Sequence, residues 1–130
     1  MDKENRKMSP EEREMVFGTL QNHFIFGKLD TEYIEKIINL MARCRVRAGC
    51  YILRKGQEPE ALHIVSEGKL QIEFINQKIQ KNTLLERGSI FGELAIVYHC
   101  SRSASIRAVT DAVLWTISTH DIIEVMREAL

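Results

Sequence analysis

Apolar positions along the first third of the chain recur at helical spacing. Ser9-Pro10-Glu11-Glu12 sets a capping hydroxyl, a proline at the first helical position and acids in the first turn. Met15, Val16 and Leu20 then share one face, which predicts a helix from Ser9 to about Asn22. A connector, FIFGKL, follows, and Asp30 caps a second predicted helix with Tyr33, Ile34, Ile37, Ile38 and Met41 in one apolar stripe. From Val46 the period shortens. VRAGCYILRKG, ALHIVSEGKLQIEFINQ and KNTLLERGSIFGEL are short β-prone runs punctuated by Gly49, Gly56, Gly68 and Gly88. ASIRAVTDAVLWTIS adds two strands around a turn at Thr110-Asp111. Thr119 or His120 then opens a last helix with Ile122, Ile123, Val125 and Met126 inward.

Turn glycines at roughly ten-residue spacing, with no long helix between strands, point to an antiparallel β-barrel or jelly roll rather than a parallel sheet. The predicted fold is therefore mainly β with flanking helices. It is one domain over 9–130: helices over 9–45, a barrel over 46–118, and a C-terminal helix over 119–130. Residues 1–8 are polar and are expected as a frayed, disordered end. The β pattern breaks inside the barrel, where ELAIVY after Gly92 has the length and propensities of a short helix.

Composition narrows the function. A chain of 130 residues supports one core, and 45% apolar with 28% charged residues is the balance of a soluble globular domain. No apolar run approaches the length of a membrane span. Eighteen basic residues against eighteen acidic ones leave no global field to draw in nucleic acid or an acidic membrane, so any bound anion needs a local site. Cys44, Cys50 and Cys100 lack disulfide or metal-ligand spacing, and the start has no apolar signal region. The cysteines read as reduced, half-buried small hydrophobes in a cytoplasmic protein.

The stretch FGELAIVYHCSRSASIRA, from Phe91, holds an acid and a base nine residues apart among apolar and small residues. A helix beginning at Glu93 leaves unpaired backbone N–H groups at an end that favours an anion. Arg102 can return over that end and donate two parallel bonds to phosphate oxygens. Glu93 is repelled by the same phosphate but is a good acceptor for a ribose hydroxyl, so together the two suggest a sugar phosphate. The competing reading is a surface ion pair worth under ~1 kcal/mol. Small neighbours, Ser101, Ser103, Ala104 and Ser105, leave room for a ligand.

This stretch, 91–104, resembles the phosphate-binding cassette of cyclic nucleotide-binding domains, and the resemblance extends over about residues 15–126. It implies that Glu93 binds the ribose 2′-hydroxyl and Arg102 the cyclic phosphate, with the amides of Gly92, Leu94, Ala95 and Ala104 completing the cage. ELAIVYHCSRSAS is more similar to the cyclic-nucleotide-dependent protein kinases than to channels or bacterial regulators. Ser103 is the hydroxyl type found in cyclic GMP-dependent kinases, where cyclic AMP-dependent regulatory subunits carry alanine. Guanine offers a 2-amino donor that adenine lacks, and a hydroxyl paired to it is worth about 1 kcal/mol. The arginine that selective members place on the preceding strand is Thr83 here, and the chain stops at Leu130 ahead of the expected lid over the base. The implied ligand is thus cyclic GMP, with cyclic AMP the alternative, and no cofactor. The implied partner is a kinase catalytic domain in cis or in trans.

Other chemistry is weaker. His23, His63, His99 and His120 show no metal-binding spacing, and no nucleophile elbow precedes Ser103, so no enzyme is expected in this fragment. Trp115 sits in an alternating strand and reads as core or partner-facing wall. Two hypotheses remain: a regulatory nucleotide sensor, and an interaction domain whose cassette no longer binds.

Overall fold

A computed structural model of the chain describes residues 1–53, 61–73, 84–93 and 104–130. Two antiparallel sheets lie under a layer of helices. The five-stranded sheet runs β1 (Asp2–Glu4), β2 (Ala42–Val46), β9 (Ala112–Ser118), β4 (Ala61–Glu67), β7 (Ile90–Phe91). The four-stranded sheet runs β3 (Tyr51–Leu53), β8 (Ser105–Ala108), β5 (Leu70–Glu73), β6 (Leu84–Leu85). Helices α1 (Pro10–Gln21), α2 (Thr31–Leu40) and α3 (Thr119–Ala129) flank them, with a 3-10 turn at Phe26–Lys28 between the first two. This is the predicted class, mainly β with helices before and after.

The larger sheet is buried on both faces, so its central strands read as continuous apolar runs instead of alternating ones. On one face the cross-strand pairs Leu62–Ile117 and Ile64–Trp115 meet Val16, Leu20, Ile37 and Ile122 of the helices. On the other face the pair Val65–Leu114 meets Leu70, Ile106 and Ala108 of the smaller sheet. The stripe predicted for α2 does face inward: Ile34, Ile37 and Ile38 are buried and Met41 nearly so. In α3, Ile122 and Val125 are buried, with Ile123 and Met126 packed against the same core.

Among the described residues, the caps of α1 and α3 follow the local sequence. Ser9 and Glu12 form a complete capping box on α1, and the Ser118 hydroxyl accepts from the Asp121 amide at 3.1 Å at the start of α3. Asp30 stands at the N-cap of α2 but its side chain makes no capping bond.

Three expectations need correction. Residues 1–8 are not a frayed end throughout, because Asp2–Glu4 pairs with β2 and Glu4 accepts from the buried Arg43 guanidinium at 2.9 Å. Charged residues are what edge strands carry, so polarity alone concealed this one. The helical segment also ends earlier than residue 45: Met41 is already extended, and β2 starts at Ala42. Cys50 is exposed, whereas Cys44 is buried as expected; Cys100 lies outside the described residues.

Candidate ligand-binding site

Strand β7 delivers the candidate site. His63 on β4 pairs in register with Phe91, and their rings stack at 4.9 Å, while His63 Nδ1 lies 2.9 Å from the Thr116 hydroxyl. The strand, at the edge of the sheet, is therefore pinned to β4 up to its last residue. Gly92 follows with φ +95°, a conformation that a side chain resists, and turns the chain sharply into Glu93. After residue 103 the chain re-enters the fold at Ala104, half-buried, and at β8, whose Ser105 pairs with Glu73. The 92–104 stretch thus leaves one sheet and returns in the other.

Glu93 is the site residue whose geometry is clearest. Its side chain is 14% exposed, and Oε2 is fully buried with no hydrogen-bond partner among the described residues. An unpaired carboxylate oxygen held from water is costly, so a buried acceptor of this kind marks a place where a donor belongs. Its other oxygen, Oε1, lies 3.9 Å from His23 Nε2. Of the predicted site residues, Gly92, Glu93 and Ala104 are described. Leu94, Ala95, Arg102 and Ser103 lie outside the described residues, as do the remainder of the expected short helix, Gly56 and Thr83.

Helix α1 reaches this region through polar contacts that sequence reasoning missed. The Thr19 hydroxyl, which also bonds the Met15 carbonyl, lies 3.3 Å from the carbonyl of Gly88, two residues before β7. At the other end of α1, Glu12 Oε2 accepts from Trp115 Nε1 at 2.9 Å and from the Ser66 hydroxyl at 3.0 Å. Burial works to raise the Glu12 carboxyl, but the Ser9 amide and the Trp115, Ser66 and Ser9 side chains outweigh it and hold its pKa below the usual range. Trp115 is thereby placed in the core beneath α1, not on an outer wall. No local signal marks these pairings, since partners sit as far as 103 residues apart.

Beyond α1, a connector doubles back tightly. The Gly27 amide donates to the His23 carbonyl at 2.8 Å, and a Cβ on Gly27 would sit 2.3 Å from the Gln21 carbonyl oxygen. Across the smaller sheet, Glu73 accepts from Arg107 Nε at 2.7 Å and from the Tyr51 hydroxyl at 2.9 Å, which together lower its pKa. Among the described residues no cluster of His, Cys, Asp or Glu is placed to hold a metal ion, and no helix is long and apolar enough to cross a membrane.

Residues 43–129 match the family model described as the cyclic nucleotide-binding domain, and the chain belongs to that family. Among curated relatives, it is 33% identical over 105 residues to the cGMP-dependent protein kinase egl-4 of Caenorhabditis briggsae, covering 81% of this chain and 14% of the relative. It is 35% identical over 107 residues to a cAMP-dependent protein kinase regulatory subunit of Mucor circinelloides f. lusitanicus, covering 82% and 24%. Among solved structures, the regulatory domain of Toxoplasma gondii PKA with cAMP superposes with a TM-score of 0.79 at 25% identity, covering 95% of this chain and 48% of that one. The cAMP-bound PfPKA-R gives 0.80 at 25% identity, covering 92% and 43%. The chain is thus similar to regulatory modules of both kinase types, and spans less than a third of these curated relatives' length.

Proposed function

We propose that the chain binds a cyclic nucleotide between Glu93 and Arg102 and serves as the regulatory module of a cyclic-nucleotide-dependent protein kinase. The observation that carries this reading is the buried Oε2 of Glu93, unpaired among the described residues and set immediately after the Gly92 turn in a member of this family. A ribose 2′-hydroxyl supplies the donor that this oxygen lacks. Arg102 neutralises the cyclic phosphate, and the amides of Gly92, Leu94, Ala95 and Ala104 orient it. Cyclic GMP is the favoured ligand, through the Ser103 hydroxyl, and cyclic AMP the alternative. The module acts in the cytoplasm on a catalytic domain in cis or in trans, and carries no catalytic group of its own.

A module without chemistry works by favouring one of two conformations. Helix α3 is the proposed mover: Ile122, Ile123 and Met126 face the shared core, and ligand is proposed to act on them through the cassette's apolar residues Leu94 and Val97, which lie outside the described residues. The test is calorimetry with cyclic GMP and cyclic AMP on the parent chain and on Arg102→Ala. Saturable binding by the parent, weakened by at least ~2 kcal/mol in Arg102→Ala because a buried phosphate loses its bidentate partner, supports the site. Absence of binding by the parent at millimolar ligand makes the chain an interaction domain with a relic cassette.

A further inference from the structure

Glu93 has two oxygens with different surroundings, and the difference originates outside the cassette. His23 lies just beyond the C-terminal end of α1, and its Nδ1 accepts the Ile25 amide at 3.1 Å. In the neutral ring this leaves the proton on Nε2, the nitrogen that faces Glu93 Oε1 at 3.9 Å. The ring is held in that attitude by Phe24, stacked at 4.7 Å, and Phe26, at 5.1 Å, and its side chain is only 9% exposed. An N–H dipole at 3.9 Å is beyond hydrogen-bond range, yet in a sheltered setting it attracts the nearer carboxylate oxygen. The two oxygens of a carboxylate are equivalent, so what His23 fixes is the plane of the group: one oxygen, here Oε1, is held on the side of the connector, and the other, here Oε2, is left for a second donor.

We propose that His23 is a positioning residue of the ligand site, whose Nε2–H orients the Glu93 carboxylate so that Oε2 is presented to the ligand's ribose hydroxyl. The inference rests on the reading that Glu93 receives that hydroxyl. It makes the connector between α1 and α2 part of the site, and it predicts an effect confined to one ligand atom. A residue that merely staples the connector would affect all ligands alike.

Two substitutions separate the roles. His23→Asn retains an acceptor near the Nδ1 position for the Ile25 amide but removes the donor aimed at Glu93; His23→Gln retains a donor near the Nε2 position. Dissociation constants for cyclic GMP and its 2′-deoxy form are measured by calorimetry on the full chain. His23→Asn is expected to reduce the ribo-over-deoxy preference at least threefold with the 2′-deoxy affinity unchanged, and His23→Gln to retain most of it. Placed in a Glu93→Gln background, His23→Asn is expected to add no further loss of preference. An unchanged preference in His23→Asn, or equal losses for both ligands, overturns the inference. Should His23→Asn fail to fold, imidazole nitrogen NMR of the unaltered chain decides instead: the Nε2–H resonance of His23 shifts with the ribo ligand and not with the 2′-deoxy ligand, and equal responses overturn the inference. If neither nucleotide binds the parent chain, the proposed function falls and this inference with it, whereas binding with an unchanged preference overturns this inference alone.

Discussion

The two faces of the central sheet are packed in different ways. Between the sheets the contact is apolar, Val65 and Leu114 against Leu70, Ile106 and Ala108, and the polar pair on that face, His63 with Thr116, joins two strands of the larger sheet without crossing to the smaller one. Against the helices an equally buried apolar core is crossed by directional polar contacts: Glu12 to Ser66 and Trp115, Thr19 to Gly88, and His23 towards Glu93. Apolar packing is non-directional and fixes that the layers adhere. The polar contacts fix where α1 sits along the sheet, and two of the three end within a few residues of the candidate site. One face therefore acts as a frame, and the other as a coupling between the helical layer and the cassette.

The sharpest way to break this contrast is to create the same cavity on each side. Leu114→Ala between the sheets and Ile122→Ala under the helices each remove a fully buried side chain and are expected to cost about 2–5 kcal/mol in chemical denaturation. They should part company in nucleotide affinity: folded Leu114→Ala keeps the parent value, and Ile122→Ala does not, because α3 is the proposed mover. Equal changes in affinity would erase the distinction between frame and coupling.

A smaller effect is expected from Glu12→Gln, which keeps an acceptor but loses its charge, at about 1 kcal/mol near neutral pH. The Glu12 pKa is lower in the folded protein than in the unfolded chain, so its stabilisation is present above the ordinary carboxyl range. It is lost as pH falls through the lowered folded pKa. Denaturation of parent and variant across acid pH should therefore show their difference closing on the acid side. A difference that persisted unchanged in acid would mean that the carboxylate charge contributes nothing to the tie.

Arg107→Gln marks the lower bound. The Arg107–Glu73 pair is well formed but only half-buried on the smaller sheet, and it takes no part in the contacts under α1. Its removal is expected to leave the denaturation midpoint unmoved at physiological salt. A clear loss there would show that surface pairs matter to this fold as much as the contacts under α1.

Much of this frame was legible in the sequence. The capping box at Ser9, the stripe of α2 and the strand over 112–118 follow from local rules of period and capping. Edges are less so: β1 is hidden by its charge, and the start of β2 reads as a continuation of the helical segment because Met41-Ala42 carries no strong breaker. At the site, the family resemblance singled out Glu93 and its neighbours, and local backbone logic explains the Gly92 turn. His23 and Thr19 were invisible as site neighbours, since their partners are brought in only by tertiary packing, 69 or more residues along the chain.

Trp115 is the single tryptophan of the chain, and it sits under α1 with its indole N–H held by a carboxylate. The molecule therefore carries its own optical gauge. Its tryptophan emission, excited beyond the absorption of the three tyrosines, comes from one address, and that address is the joint between α1 and the sheet. Any displacement of α1 from the sheet changes the polarity around one ring and the bond on its one nitrogen. A reader of that emission follows the helical layer without attaching a label, while motions confined to the smaller sheet pass unseen.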